Sequence, residues 1–167
     1  IKKRFHELIL SFPKSNAGFA VLTKSETREA LLEGLIKIFA FIGSVPTTIW
    51  FDQMSSAALR TRDEKGIVQV AGFVQRFATH YGFAIKFCNP ESGHEKGNVE
   101  RKVGTIRRNL FVPEPEITNL EAYNNDLLEK CQTLNKENHY IHKIPKEQIF
   151  EEEKVMMVPM NTAPFDT

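Results

Sequence analysis

Thr47-Thr48-Ile49-Trp50-Phe51-Asp52 is an apolar run that ends in an isolated carboxylate. A short apolar run of this kind, rich in β-branched and aromatic residues, is typical of a strand buried in a sheet. Asp52 is then expected to lie where that strand ends. At such a position the strand holds the backbone of the residue in place, and the carboxylate itself is exposed to solvent.

A second carboxylate, Glu100, lies in a basic stretch. The stretch is Gly93-His94-Glu95-Lys96-Gly97-Asn98-Val99-Glu100-Arg101-Lys102-Val103-Gly104-Thr105-Ile106-Arg107-Arg108. It predicts a helix that begins near Glu95 and presents mainly lysine and arginine. A carboxylate among cations suits a metal ion held beside nucleic acid. Together with Asp52, it suggests a polynucleotidyl transferase.

Elsewhere, hydrophobic periodicity predicts alternating strands and helices. Two short apolar runs, Arg4 to Ser11 and Gly18 to Leu22, flank turn residues and predict an antiparallel hairpin. A possible capping box of Thr23 and Glu26 predicts the start of a helix, which stops at Gly43. These elements precede the Thr47–Phe51 strand.

The segments after that strand continue the alternation. Residues 53–65 are polar and poorly periodic, and we expect a disordered loop beside Asp52. Apolar residues between Val70 and Ala78 predict a second helix, and Phe83 to Phe87 another strand. The resulting order of hairpin, helix, strand, helix, strand and helix is α/β. Together with Asp52 at a strand end and Glu100 on a helix, this order resembles the ribonuclease H-like fold, a mixed sheet flanked by helices.

Composition limits the chain to one main core. It has 167 residues, of which 41% are hydrophobic, enough for one domain with appendages. Cys88 and Cys131 lie inside apolar segments, which favours buried thiols and a reducing, cytoplasmic setting over a disulfide. The apolar tract from Ala30 to Gly43 is interrupted by Glu33 and Lys37, and no signal-peptide pattern is visible. We therefore expect no membrane partner.

Charge is unevenly distributed along the chain. Residues 1–111 contain 17 Lys/Arg and 10 Asp/Glu, whereas residues 112–167 contain 5 and 11. The basic part is the candidate for binding a polyanion. The alternative is that both parts are ordinary solvated surfaces, and charge alone does not decide between them.

The character of the sequence changes after residue 112. Thr118 and Glu121 form a possible capping box for a helix that should pack on the core, and a short helix follows at 145–153. The last residues include two prolines and are expected to be extended. The predicted domains are a core of residues 1–112, a helical extension of residues 113–154, and an extended tail or linker of residues 155–167.

Four motifs then follow one another in a fixed order. They are Ala40-Phe41-Ile42-Gly43-Ser44-Val45-Pro46, Ile49-Trp50-Phe51-Asp52-Gln53, His80-Tyr81-Gly82-Phe83 and Glu95-Lys96-Gly97-Asn98-Val99-Glu100. This series resembles the integrase-like core of IstA-type insertion-sequence transposases, which are bacterial enzymes of the DDE type. The resemblance covers roughly residues 4 to 166, and the ordered series is more specific than any one motif.

The resemblance implies an active site in which two aspartates and one glutamate hold two Mg²⁺ or Mn²⁺ ions. Asp52 matches the second aspartate and Glu100 the glutamate, with 47 residues between them. In-line cleavage of a phosphodiester uses two ions about 3.5–4 Å apart. The implied function is DNA end cleavage and strand transfer in DNA integration, also called transposition.

The chain departs from this pattern in one respect. The first aspartate should lie on a strand before the hairpin, yet no aspartate precedes Asp52. Glu7 is a poor substitute because it lies on the second strand. We expect that the chain starts just after the first, central strand and that this fragment alone is inactive. Gln53, where the family usually has asparagine, is a minor departure.

The resemblance also suggests DNA contacts and partners. Lys96 is expected to contact a phosphate near the active site; Arg101, Lys102, Arg107 and Arg108 would form a looser DNA-facing surface. A solvated helix face is the alternative for these residues. The implied partners are DNA, both element ends and target, further copies of the chain, and an AAA+ ATPase helper.

Simpler interpretations remain for each feature. Asp52 fits a helix cap or turn, and Glu100 fits an exposed residue paired with Lys96. The chain as a whole fits a noncatalytic DNA-binding or assembly module with a decayed or truncated core. A ribonuclease H-type hydrolase without strand transfer fits the fold but lacks the motif series.

Overall fold

A computed structural model describes residues 4–88, 106, 110–111 and 116–165. Its first element is a hairpin of β1 (His6–Phe12) and β2 (Ala17–Thr23), which pair antiparallel with Phe12 opposite Ala17. Asn16 closes the turn at a positive φ of 62°, a conformation that asparagine tolerates well. The predicted hairpin is confirmed.

Helix α1 spans Arg28–Ile42 and begins later than predicted. Its N-cap is Thr27, whose side chain accepts a hydrogen bond from the Ala30 backbone N–H. The capping box of Thr23 and Glu26 is therefore wrong. Thr23 is still part of β2, and its hydroxyl donates to the Ser25 carbonyl instead. The helix ends as predicted at Gly43, which has φ 82°.

A parallel pair of strands forms a second sheet, separate from the hairpin in the described residues. β3 (Ser44–Val45) follows α1, and β4 (Thr48–Phe51) then pairs with β7 (Ala84–Phe87) so that Phe51 lies opposite Phe87. Between them, α3 (Gly72–Tyr81) buries Val74, Phe77 and Ala78 against the core. The predicted strands and helix are confirmed here.

Residues 53–65 are ordered, so the expected disordered loop is wrong. They form α2 (Gln53–Leu59) and β5 (Arg60–Arg62), which pairs antiparallel with β6 (Val68–Val70). Leu59 is fully buried, and the Arg60 guanidinium lies 3.7 Å from the Phe87 ring centroid. These long-range contacts stabilise a segment whose local sequence shows no periodicity.

The C-terminal part packs back on the hairpin. Helix α4 (Leu120–Asn135) lies against β2, and α5 (Lys146–Lys154) follows a connecting loop. The N-cap of α4 is Asn119, which accepts from the Ala122 backbone N–H. The capping box of Thr118 and Glu121 is therefore wrong by one position, because the asparagine amide takes the capping role.

The tail is extended and lies on the core. β8 (Val158–Pro159) pairs antiparallel with β3, and the Phe165 ring packs on Phe73 and Phe77 with centroid separations of 5.4 Å each. Residues 158–165 therefore do not leave the core as a free linker. The division into domains at residues 112 and 154 stays a prediction.

Two neighbouring clusters of buried residues join these pieces. In the described residues β1–β2 and β4–β7 are separate two-stranded sheets, but Leu8 and Leu10 contact the buried clusters on both sides. Cys88 and Cys131 are buried thiols without a disulfide. In the part of the chain that the structure describes, no helix is long and apolar enough to cross a membrane.

Gly34 lets α1 approach the hairpin closely. A Cβ atom at Gly34 would lie 2.6 Å from Leu8 Cδ2 and 3.3 Å from Thr23 Cγ2. We expect Gly34→Val to lower the free energy of unfolding by about 2 kcal/mol, because a branched side chain overpacks this contact. Urea denaturation of the variant and of the wild type measures this difference in the free energy of unfolding.

Gly34→Ala is the matched control. The Leu8 methyl group can shift, and alanine favours a helix interior by about 1 kcal/mol over glycine, so the alanine variant should unfold close to wild type. Equal stabilities of the valine and alanine variants would contradict the close approach of α1 to β1.

Candidate active site

Asp52 lies at the carboxyl-terminal edge of the parallel strand pair. It follows β4 directly, its side chain is exposed, and Ile49 and Phe51 hold the strand in the core. The Cys88 backbone N–H donates to the Phe51 carbonyl at 2.9 Å and continues the pairing at this edge. In open α/β sheets, ligands bind at the carboxyl ends of the strands.

The Asp52 carboxylate also caps a helix. Its Oδ1 accepts a hydrogen bond of 2.8 Å from the Ser55 backbone N–H in the first turn of α2. The structure therefore confirms the helix-cap interpretation of Asp52 for one of its two carboxylate oxygens. A carboxylate has two oxygens and several lone pairs, so the cap orients the group and is compatible with metal binding.

A cation lies at the same edge. Arg60 stacks on Phe87, the last residue of β7, and Phe87 is the register partner of the residue before Asp52. Sequence periodicity did not predict the stacking of Arg60 on Phe87, because this contact depends on α2 and β5 folding back over β7. The edge thus combines an exposed carboxylate with a fixed guanidinium.

The other predicted site residues cannot be compared with Asp52. Lys96, Glu100, Arg101, Lys102, Arg107 and Arg108 all lie outside the described residues. Within residues 4–88, 106, 110–111 and 116–165, no group of three or more His, Cys, Asp or Glu side chains is placed to hold a metal ion. The described part therefore supplies one candidate ligand, Asp52.

The β4–β7 pair is buried on one face only, whereas the sequence predicted a buried strand. Its outer face consists of Thr48, Trp50, Ala84 and Lys86, all of them exposed. Trp50 is 54% exposed, and the Lys86 Nζ lies 5.8 Å from its ring centroid. The alternation of Ile49 and Phe51 with Thr48 and Trp50 was the signal for a half-buried strand.

Comparison with known proteins gives consistent matches. No family model matches the chain. It is 36% identical over 98 residues to a putative transposase for insertion sequence element IS5376 from Geobacillus stearothermophilus, covering 59% of this chain and 24% of that protein. It is 28% identical over 166 residues to the transposase for insertion sequence element IS21 from Pseudomonas aeruginosa, covering 99% of this chain and 39% of that protein. The chain thus spans well under half the length of these curated relatives.

Several solved structures share the fold of this chain. A chain of the simian T-cell lymphotropic virus intasome in complex with PP2A regulatory subunit B56 gamma matches with TM-score 0.63 and 16% identity, over 98% of this chain and 54% of that one. The catalytic core domain of BIV integrase matches with TM-score 0.59 and 15% identity, over 90% of this chain and 88% of that one. The HTLV-2 integrase catalytic core domain in complex with magnesium matches with TM-score 0.54 and 19% identity, over 87% of this chain and 92% of that one. The predicted fold class and the motif-based resemblance are confirmed.

Proposed function

We propose that this chain, a homologue of IS21-type insertion-sequence transposases with the fold of an integrase catalytic core, belongs to the catalytic core of a DNA transposase. The carrying observation is the position of Asp52, an oriented carboxylate at the carboxyl-terminal edge of β4 in that fold. The reaction is metal-dependent cleavage at the ends of a mobile element and transfer of the 3′-hydroxyls to target DNA.

Asp52 and Glu100 are the proposed metal ligands in this chain. Mg²⁺ and Mn²⁺ prefer carboxylate, water and phosphate oxygens, and the exposed Asp52 carboxylate uses one oxygen for its cap. When bound, divalent ions activate the attacking hydroxyl and stabilise the leaving oxygen. Two features of the chain orient Asp52 for this role. Its hydrogen bond to the Ser55 N–H fixes one carboxylate oxygen, and the pairing of β4 with β7 fixes the backbone before it.

The basic residues are the proposed DNA contacts. Lys96 would bind a phosphate near Glu100, and the surface of Arg101, Lys102, Arg107 and Arg108 would bind the backbone of the element end or target. Joining two DNA ends to one target requires more than one copy of the core, so we propose a homo-oligomer on DNA. An AAA+ ATPase helper follows from the family resemblance.

A third carboxylate completes the proposed site. The family resemblance places it on a strand before the hairpin, and the relatives are much longer than this chain. The test is a strand-transfer assay with pre-cut element-end DNA and Mg²⁺ or Mn²⁺. It compares the 167-residue chain with one extended upstream through the next aspartate-bearing strand. Joining by the extended chain alone supports the proposal.

A noncatalytic module is the second candidate, and one observation favours it. Asp52 already has a structural role as a helix cap, because its Oδ1 accepts from the Ser55 backbone N–H. If the extended chain binds element ends but never joins them to target, this candidate replaces the transposase. Cleavage of RNA–DNA hybrids without strand transfer would instead indicate a ribonuclease H-type hydrolase.

A further inference from the structure

We infer that the outer face of β4 and β7 binds an unpaired DNA strand, with the Trp50 indole stacked on a base and the Lys86 ammonium on a phosphate. The inference takes its ligand from the proposed function and adds a binding surface to it. It starts from the exposure of Trp50, which leaves 54% of a large, flat apolar side chain in solvent.

The neighbours of Trp50 leave its ring accessible. Thr48 lies two residues earlier on the same face, and Ala84 is the register partner of Thr48. Both are small side chains, so neither can cover an indole. A flat ring with open flanks is a surface on which a nucleobase can stack, and every base offers the π-face that this requires.

Lys86 adds the charge that such a surface needs. It is the register partner of Trp50, and its Nζ lies 5.8 Å from the ring centroid, within the range of a cation–π contact. The contact places the ammonium over the ring, so a base that stacks on the indole displaces the flexible lysine side chain toward a neighbouring phosphate. Aromatic rings beside cations are the usual means of binding single strands.

The outer face is continuous with the proposed active site. Asp52 comes two residues after Trp50 and directly follows the end of β4 at Phe51, and two residues of a strand span about 7 Å. A DNA strand stacked on Trp50 therefore runs past the Asp52 carboxylate. Bases within a duplex are already stacked on both faces, so the ligand is an unpaired nucleotide at a cut or frayed end.

Trp50 is the chain's only tryptophan, so its fluorescence reports on this face alone. The test is a titration of the chain with oligothymidine and with an abasic oligonucleotide of equal length, in EDTA so that no metal chemistry contributes. We expect saturable quenching by oligothymidine and none by the abasic strand. Equal quenching by both, or none by either, would overturn the inference.

Variants separate stacking from charge, with fluorescence anisotropy of a labelled oligothymidine as readout. Trp50→Ala should weaken binding about 5- to 100-fold, with Trp50→Phe intermediate. Lys86→Gln should lower the slope of log affinity against log salt by about 0.7. Tyr140, which is 64% exposed in the loop between α4 and α5, is the control, and Tyr140→Ala should bind like wild type.

The outcomes also separate this inference from the proposed function. Wild-type affinity of Trp50→Ala would refute the stacking surface even if strand transfer is observed. A concentration-dependent change of Trp50 fluorescence without DNA would show that a second copy of the chain covers the face, and would also refute it. Base-dependent quenching together with an upstream-extended chain that never joins DNA would leave the surface intact and refute the transposase.

Discussion

Replacing Asp52 by asparagine is expected to lower strand transfer roughly 1,000-fold or more while the fold persists. The asparagine carbonyl can still accept the hydrogen bond from the Ser55 N–H that caps α2. A neutral amide, however, cannot supply the negative charge that a Mg²⁺ or Mn²⁺ ion requires from its ligand. The loss is measured with the upstream-extended chain and pre-cut DNA ends, and Glu100→Gln should reproduce it.

Asp63→Asn is the matched control for Asp52→Asn. The Asp63 carboxylate lies in the turn between β5 and β6, where Oδ1 accepts from the backbone N–H groups of Lys65 and Ile67 at 2.9 Å each. Asparagine preserves these acceptors, so activity should stay within about twofold of wild type. Equal losses in both variants would mean that charge near the edge matters in general and that Asp52 is not a specific ligand.

The second large effect concerns stability. Asn124→Leu is expected to lower the free energy of unfolding by about 3 kcal/mol. Asn124 is buried in α4, where its Oδ1 accepts from the Leu22 N–H at 2.8 Å and its Nδ2 donates to the Leu22 carbonyl at 2.9 Å. Leucine has a similar shape, so the substitution leaves two backbone groups of β2 buried without partners. Urea denaturation followed by circular dichroism gives the value.

Asn125 provides the matched control, one residue further along α4. Its side chain is exposed, so Asn125→Leu should change the free energy of unfolding by no more than about 0.5 kcal/mol. Asn135→Leu should resemble Asn124→Leu, because Asn135 makes the same pair of bonds to Gly18, at 3.1 and 3.2 Å. If Asn124→Leu lowers the free energy of unfolding no more than Asn125→Leu does, the two hydrogen bonds between Asn124 and Leu22 do not contribute to stability.

Periodicity and turn residues predicted most of the fold. The hairpin, the helix that stops at Gly43 and the strand before Asp52 were all visible, because each buries a regular apolar face or needs a turn residue. The helix starts were wrong by one to four residues. Several Ser, Thr and Asn residues compete near each start, and the tertiary structure selects among them.

Features that depend on long-range contacts could not be read from the sequence. The order of residues 53–65 comes from burial of Leu59 and the stacking of Arg60 on Phe87, which is 27 positions away. The roles of Asn124 and Asn135 depend on β2, more than 100 positions away. For the site, the sequence predicted Asp52 but not the exposure of Trp50, because a short apolar run predicts a strand that is buried on both faces.

The two buried asparagines, Asn124 and Asn135, determine on which side of the β1–β2 hairpin a further strand can pair. By pairing with Leu22 and Gly18 they occupy the outer edge of β2, where an exposed strand edge would otherwise recruit another strand. Any strand that enlarges this sheet, from the same polypeptide or from another molecule, must therefore join beside β1. Helix α4 thus acts as a stop that blocks edge-to-edge polymerisation on one side of the molecule.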